Sequence, residues 1–324
     1  MQNAVFLSKV NDPYYNLSLE TLLFESGVEG CTFYLWQNQN TVVLGKNQNA
    51  WKECRASLLE QEGGLLARRT SGGGAVFHDL GNLNFTFIVK RSEYDVMRQL
   101  SIIQQACRRF GIETEFSGRN DLLVSKNLAK FSGNAFRFSK DTALHHGTVL
   151  VSADLNKLGR YLAPSPEKLS AKGVESVRQR VVNLCELNPE INIENMKKAL
   201  LDAFIKNYGP SRVGQVASLN QQRLEELREL YASWQWRMGE TPSFDIALER
   251  RFEWGGVELQ LSLERGVIVS SKVYSDAMDE EFIERIPPVL LFSKFNSLEM
   301  AERLKSLRHA EANELAAWIE EKGF

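Results

Sequence analysis

The chain has no apolar run close to the roughly 18–20 residues that cross a bilayer, which excludes a helical membrane span. Its first nine residues, Met1 to Lys9, show no basic region ahead of a long apolar core, so no signal peptide is expected and the expected compartment is the cytoplasm. An excess of basic charge is also missing. The formal charge is −2, which leaves no general footprint for nucleic acid, although a local basic patch is compatible with it. Cysteine is scarce. Cys31, Cys54, Cys107 and Cys185 stand far apart, with no C-x-x-C pair and no histidine spacing of a zinc site. Reduced thiols are expected, without a disulfide framework. No Ser-His-Asp grouping stands out, and neither an internal repeat nor a low-complexity segment occurs.

What is present has the composition of a soluble globular protein: 43% hydrophobic and 25% charged residues over 324 positions, long enough for two domains. The most informative stretch is Arg68-Arg69-Thr70-Ser71-Gly72-Gly73-Gly74-Ala75-Val76-Phe77-His78-Asp79-Leu80-Gly81-Asn82. Three adjacent glycines surrender much backbone freedom on folding, so something must approach the main chain closely there. A small anionic or nucleotide-like ligand fits, with glycine amides facing it and Arg69 supplying charge. The alternative is a flexible surface turn. It is not a P-loop, since no Lys-Ser/Thr follows Gly74. Nor is it a dinucleotide fingerprint, since Phe77 stands where the third glycine would be. Apolar residues lead in (Leu65 to Ala67) and an alternating run leads out (Asn84 to Ile88), so the loop reads as strand–loop–strand.

The rest of the pattern alternates strands and helices. A strand is expected over 3–8, then a helix started by Asp12-Pro13 and closed near Gly27. Runs 31–36 and 41–45 read as a hairpin turned at 37–40, and 51–60 as a short helix. A helix over 96–110 precedes strands at 113–116, 121–125, 128–137 and 145–152. Residues 163–183 form a long basic connection with little periodicity, including Lys172, Arg178 and Arg180. Helices follow Asn192 and surround Leu224 to Trp234. The turn-rich joint 236–244 marks the expected domain boundary, giving domains 1–244 and 245–324. The second opens with a hairpin at Gly255-Gly256, continues with a strand over 267–274, and ends in helices near 279–285, 298–307 and 311–321.

The glycine-rich block resembles the signature loop of lipoate–protein ligases, in the superfamily that also holds biotin–protein ligases and lipoyl or octanoyl transferases. The resemblance extends to Trp36-Gln37-Asn38, Thr41 to Asn49, Gly118 to Leu122, Lys130-Phe131-Ser132-Gly133, His145-His146-Gly147-Thr148 and Ala171 to Arg178. It implies an α+β fold, a mixed β-sheet flanked by helices, with a smaller α+β C-terminal accessory domain. It also implies ATP as substrate with Mg²⁺ and no tightly bound cofactor. The expected reaction makes lipoyl-AMP and pyrophosphate from free lipoate, then transfers the lipoyl group to a specific lysine of a carrier domain. The expected carriers are the lipoyl domains of 2-oxoacid dehydrogenase complexes and the glycine-cleavage H protein. A monomer that binds neither nucleic acid nor membrane is expected. The biotin-ligase loop Gly-Arg-Gly-Arg-x-Gly-Arg is absent.

The resemblance implies that Lys130 contacts both the acyl carbonyl and the α-phosphate. An ammonium suits that task as a point charge, stabilising a crowded phosphorus centre and not abstracting a proton. Without the resemblance, a lysine between Ala129 and Phe131 reads as a solvated strand face. ATP is expected on Arg69, Gly74, Ala75, Val76, Phe77, Lys130, Lys172 and Arg178. Lipoate is expected on Lys130, Arg69, Ser71, Gly72, Gly73, Gly74 and His145. Asp121, and with it Asp79, is a candidate for holding Mg²⁺ on the phosphates, the alternative being a turn or cap role. Of His145-His146 only one can face inward, because a strand alternates faces. Phe131 departs from the smaller aliphatic residue of the family pattern and is expected at the pocket wall. An ATP-independent transferase working through a cysteine thioester is disfavoured, since no cysteine lies in the matching blocks. A non-catalytic binder of lipoylated domains is the remaining alternative.

Overall fold

In the computed structural model, which describes every residue except 1, 28, 118–120, 163–180, 240–243, 276 and 278, the first apolar run becomes strand β1 (Asn3–Leu7). Helix α1 (Pro13–Glu25) starts where Asp12 accepts hydrogen bonds from the Tyr14 and Tyr15 amides, while Pro13 needs no amide partner in the first turn. Strand β2 (Thr32–Trp36) returns parallel to β1. The chain then leaves this sheet. Strands β3 (Thr41–Leu44), β4 (Leu65–Arg68) and β5 (Val76–His78) form a separate sheet in the order β4-β3-β5. Strand β6 (Asn82–Lys90) comes back antiparallel to β2. Helix α2 (Val96–Arg108) leads to β7 (Thr114–Phe116), β8 (Asp121–Val124), β9 (Lys130–Phe138) and β10 (Thr142–Leu150). Helix α3 (Ile193–Tyr208) and β11 (Ser211–Val213) complete a mixed sheet in the order β11-β1-β2-β6-β10-β9-β8-β7.

Strand alternation divides the core into two layers. Phe33, Leu35, Phe85, Phe87 and Val149 face α2 and α3, meeting Leu100, Ile103, Met196 and Phe204. The Phe33 ring stacks on Phe87 and Phe204 at 4.6 and 4.8 Å. Tyr34, Trp36, Ile88 and Leu144 face the other way, against Leu19 and Leu23 of α1 and against helix α4 (Gln221–Ala232). This is the mixed sheet flanked by helices that the sequence leads one to expect.

Two local expectations are corrected. Runs 31–36 and 41–45 are not a hairpin. All five positions of β2 are buried, so it takes β1 and β6 as neighbours, while β3 joins the small sheet. The connection is tied down by Asn16, whose Nδ2 donates to Gln37 O and to Asn38 Oδ1. The helix expected over 51–60 is two pieces, Ala50–Glu53 and Ala56–Gln61, interrupted where Cys54 bridges to Leu162.

The C-terminal domain has its own sheet, β12 (Phe244–Phe252), β13 (Gly255–Glu264) and β14 (Val267–Ser275). Its buried face, with Val257, Leu259, Leu261 and Leu263, is covered by α5 (Glu280–Leu290), α6 (Ser297–Lys305) and α7 (Ala310–Lys322). Helix α5 runs past the expected end at 285, through Pro287 and Pro288. Burial of Ile286 and Leu290 on both sides of the prolines outweighs the two lost amide donors. The domain docks through Ser57 Oγ, which donates to Phe324 O at 2.5 Å, and through Trp51 edge-on to Phe295 at 5.4 Å. Among the described residues no helix is long and apolar enough to cross a membrane.

Arg68 ties distant segments of the N-terminal part together. It is fully buried and donates to the carbonyls of Gly45, Lys46, Gln48, Trp236 and Arg237. Replacing it leaves several buried carbonyls without donors. Arg68→Ala should lower the unfolding free energy by about 3–5 kcal/mol. Urea denaturation tests this, and a loss below about 1 kcal/mol would contradict the hub role.

Candidate active site

The site is built on one row of the large sheet. Register pairs Trp36 of β2 with Asn84 of β6, Asn84 with Thr148 of β10, and Gly133 of β9 with Asp121 of β8. The Gly133 amide donates to Thr148 Oγ1 at 3.2 Å, which joins the two halves of the row. Side chains directly opposite one another share a face, so this row forms one wall. A cavity of about 140 Å³ lies against it, closed by Leu17, Val43, Val76 and Ala135 and by the turn Gly73-Gly74-Ala75.

Lys130 reaches this face because of a β-bulge. Leu122 pairs with Ser132 and Leu123 with Lys130, so Phe131 is skipped. Strict alternation would place Phe131 on the cavity side with Gly133. The extra residue instead turns Phe131 into the core between sheet and α2, where it is fully buried, and leaves Lys130 on the cavity side. The expectation that Phe131 alters the pocket wall is therefore corrected. The Lys130 ammonium lies over Gly133, where a Cβ would be 3.0 Å from Nζ. It pairs with Asp121 Oδ1 at 2.7 Å, both side chains being about one-third exposed. Asp121 thus orients Lys130. Asp79 spends Oδ1 on the Gly81 amide and Oδ2 on the Asp154 amide, the work of a turn residue. Among the described residues no three or more His, Cys, Asp or Glu side chains form a metal-binding group.

The glycine loop folds around Arg69. Its Nη2 donates to Gly72 O and Gly74 O at 2.7 and 2.9 Å, its Nη1 to Val43 O and its Nε to Ser71 Oγ. Burial pulls its pKa down to about 10, so it stays cationic at neutral pH. Arg69 therefore shapes the loop and sets its potential, with its donors already occupied by the loop's own oxygens. Gly73 adopts φ +92°, which a side chain would strain, and a Cβ on Gly45 would fall 2.1 Å from Gly73 O. Gly72 and Gly74 face open space.

Behind the wall runs a buried polar chain that sequence reasoning missed. Trp36 Nε1 donates to Thr86 Oγ1 and Thr86 to Glu20 Oε1 at 2.6 Å. Glu20 Oε1 also meets His146 Nδ1 at 2.8 Å, and His146 Nε2 meets Ser71 Oγ at 2.7 Å. A carboxylate–histidine–serine set thus exists after all. Ser71 is 2% exposed, does not line the cavity and also accepts from Arg69, so it organises the loop. The available signal was Glu20, a carboxylate inside the apolar run Leu17 to Leu23.

Of the expected residues, Arg69, Gly73, Gly74, Ala75, Val76 and Lys130 come together at the cavity. Ser71 and Gly72 support the loop from outside its lining. His145 is a correction: it points to the opposite face, buried against Phe85, Phe87 and Phe136, with Nδ1 on Gln99 and Nε2 on Asn134. The inward histidine is His146. Phe77 is likewise corrected, because its ring packs with Val42 and Tyr161 behind β5 while Val76 faces the cavity. Lys172 and Arg178 lie outside the described residues. Cys31, Cys54 and Cys107 are buried, with thiol pKa values pushed up by burial, and no cysteine is among the cavity's lining residues.

A model of the lipoyl protein ligase A/B catalytic domain matches residues 12–205, and one of the bacterial lipoate protein ligase C-terminus matches residues 241–319. The chain belongs to the lipoyl protein ligase A/B family. By that membership it is an enzyme, a lipoate–protein ligase. Lipoate-protein ligase A of Psychrobacter cryohalolentis is 39% identical, the match covering 99% of this chain and 97% of that one. The crystal structure of P. falciparum LipL1 in complex with lipoate is 30% identical, with a TM-score of 0.64, over 98% of this chain and 99% of that chain. The bipartite lipoate protein ligase of Thermoplasma acidophilum, studied with its E2 lipoyl domain, is 25% identical, with a TM-score of 0.68, over 75% of this chain and 98% of that chain.

Two buried histidines give this ligase a pH signature. Burial foremost pushes the pKa values of His78 and His145 down to about 3, helped at His78 by the Arg69 charge and at His145 by His146. In the unfolded chain both titrate near about 6.5. Below that, the unfolded state takes up protons that the folded state refuses, so stability is full above about 6.5 and falls as pH drops toward about 3. From pH 7 to 5 the two rings together should remove about 4 kcal/mol, half of which His145→Gln should abolish. Urea unfolding at pH 7, 6 and 5 reads this, and an unchanged slope in the variant would count against it.

Proposed function

We propose that this ligase activates free lipoate with ATP and then passes the lipoyl group to a carrier-domain lysine. A carboxylate oxygen of lipoate attacks the α-phosphorus, and pyrophosphate leaves with the bridging oxygen's electron pair. The neutral amine of the carrier lysine then attacks the acyl carbonyl of lipoyl-AMP. AMP departs, an amide forms, and the amine's proton is released. The observation that carries this reading is the Lys130 ammonium, aimed by a bulge over Gly133 at the mouth of an apolar cavity, opposite the glycine turn.

Each residue has a task in this scheme. Lys130 bridges the acyl carbonyl and the α-phosphate, and Asp121 keeps it oriented. The open sides of Gly72 and Gly74 leave room for the phosphates beside backbone amides. Arg69 adds positive potential from behind the loop. Leu17, Val43, Val76 and Ala135 hold the acyl chain away from water. Magnesium would enter with the triphosphate, held mainly by phosphate oxygens and water. Asp121 is the carboxylate in place to complete its shell, once Lys130 turns to the nucleotide. The carriers fit the same reading: lipoyl domains of 2-oxoacid dehydrogenase complexes and the glycine-cleavage H protein. We place the division between catalytic and accessory domains at 244/245.

Lys130→Ala should reduce lipoate-dependent pyrophosphate release by about 10²–10³-fold, the usual effect of removing one donor to transition-state charge. Thermal unfolding should stay close to that of the parent, because Lys130 is only half-buried. Near-parental release from the variant would remove Lys130 from the mechanism.

A further inference from the structure

Two buried hydrogen-bond donors line the cavity with nothing to donate to. His78 is 3% exposed, and its Nδ1 lies 3.2 Å from Asn38 Nδ2. The Asn38 amide cannot be turned round, because its Oδ1 accepts from Asn16 Nδ2 at 3.0 Å. Nδ1 is therefore the acceptor, the ring proton is on Nε2, and Nε2 has no partner. Burial and the Arg69 charge keep this ring neutral. Asn84 is 1% exposed; its Oδ1 accepts from Asn82, and its Nδ2 has no partner. Buried donors without acceptors are costly and rare, and here two belong to the lining of one cavity, both on residues beside Trp36.

Their position along the cavity is set by the sheet. Gly133, beneath the Lys130 ammonium, is followed across the strands by Thr148 and then Asn84. Two strand spacings, about 10 Å, separate the ammonium end from Asn84. The His78 ring stands edge-on to Trp36, the next residue in the row, at 6.0 Å. A medium-chain acid with its carboxylate at Lys130 therefore places its far end against both donors. A plain alkyl end offers them nothing. A dithiolane offers two sulfur atoms, each a weak acceptor.

We infer that His78 Nε2–H and Asn84 Nδ2–H form a sulfur-recognising end to the acyl cavity, selecting lipoate over an unsubstituted chain of the same length. This rests on the adenylation reading above. A site built to hydrogen-bond its substrate disfavours an analogue that lacks the bonding group, because the donors are then left buried and unpaired.

The test is pyrophosphate release with lipoate and with octanoate, compared as kcat/KM. The parent chain should favour lipoate by about tenfold, and His78→Phe and Asn84→Val should each bring that ratio toward unity. A parent that accepts octanoate as readily as lipoate overturns the inference, with no variant needed. Folded variants that keep the parental ratio overturn it as well. No release with either acid is a separate result, which defeats the adenylation reading and this inference with it.

Discussion

Two adjacent guanidinium groups at the end of β4 face opposite ways, and the carbonyls of distant segments come to each. Arg68 gathers Gly45, Lys46 and Gln48 on one side of the small sheet and the segment at Trp236-Arg237 on the other. Arg69 gathers Val43, Gly72 and Gly74. A guanidinium suits this work because its five donors spread in a plane and its charge persists when buried. Backbone carbonyls are held by their own chain, so each bond fixes a segment. The catalytic loop is thereby folded from inside by its own cation. Gly73 is needed for the positive φ of the turn, and Gly45 because a Cβ there would meet the Gly73 oxygen.

The loop is further fixed by the polar chain behind the cavity wall. Thr86 donates to Glu20 Oε1, which His146 Nδ1 also meets. His146 Nε2 lies against Ser71 Oγ, and the same oxygen accepts from Arg69 Nε. A buried carboxyl group is tolerated only when its hydrogen bonds are satisfied, as Thr86 and His146 do here for Glu20. Helix α1 is thus coupled to the loop through His146, which also lines the cavity.

The glycine turn and the layered sheet were legible in the sequence because each rests on a short-range rule, whereas Lys130 stood out only through the family resemblance. Three glycines beside arginines imply close approach to the main chain. The alternation of Phe33, Tyr34, Leu35 and Trp36 is visible as a run buried on both faces. What was not legible depends on phase and on distant partners. His145 and His146 differ by one position, and choosing between them needs the register with β6 and β9, which Asn134 and Gln99 confirm only in three dimensions. Val76 and Phe77 pose the same problem in β5. The presumed hairpin failed because four residues between two strands satisfy a local rule, while the pairing was decided by the need of a fully buried strand for partners on both edges. The bulge at Phe131 left no mark in the sequence, although it decides which side Lys130 faces.

That bulge also explains why the reactive end and the gripping end differ in exposure. On an unbroken β9, the side chain reaching the cavity would be Phe131, and the ammonium would face the core. Inserting one residue exchanges them, so the core gains an aromatic ring and the cavity gains a charge at its most open point. Lys130 and Asp121 remain partly solvated, so the charged pair escapes the full desolvation cost of burial. Three strands farther along the row, Trp36 is almost wholly buried. The row is thus most open at Lys130 and Asp121 and almost wholly buried at Asn84 and Trp36. In the proposed reaction an acid substrate matches that difference, charged at one end and apolar along its length. Solvation in that scheme favours the orientation that brings the carboxylate to Lys130, and a carrier-protein lysine would reach the acyl carbonyl at the end still open to solvent.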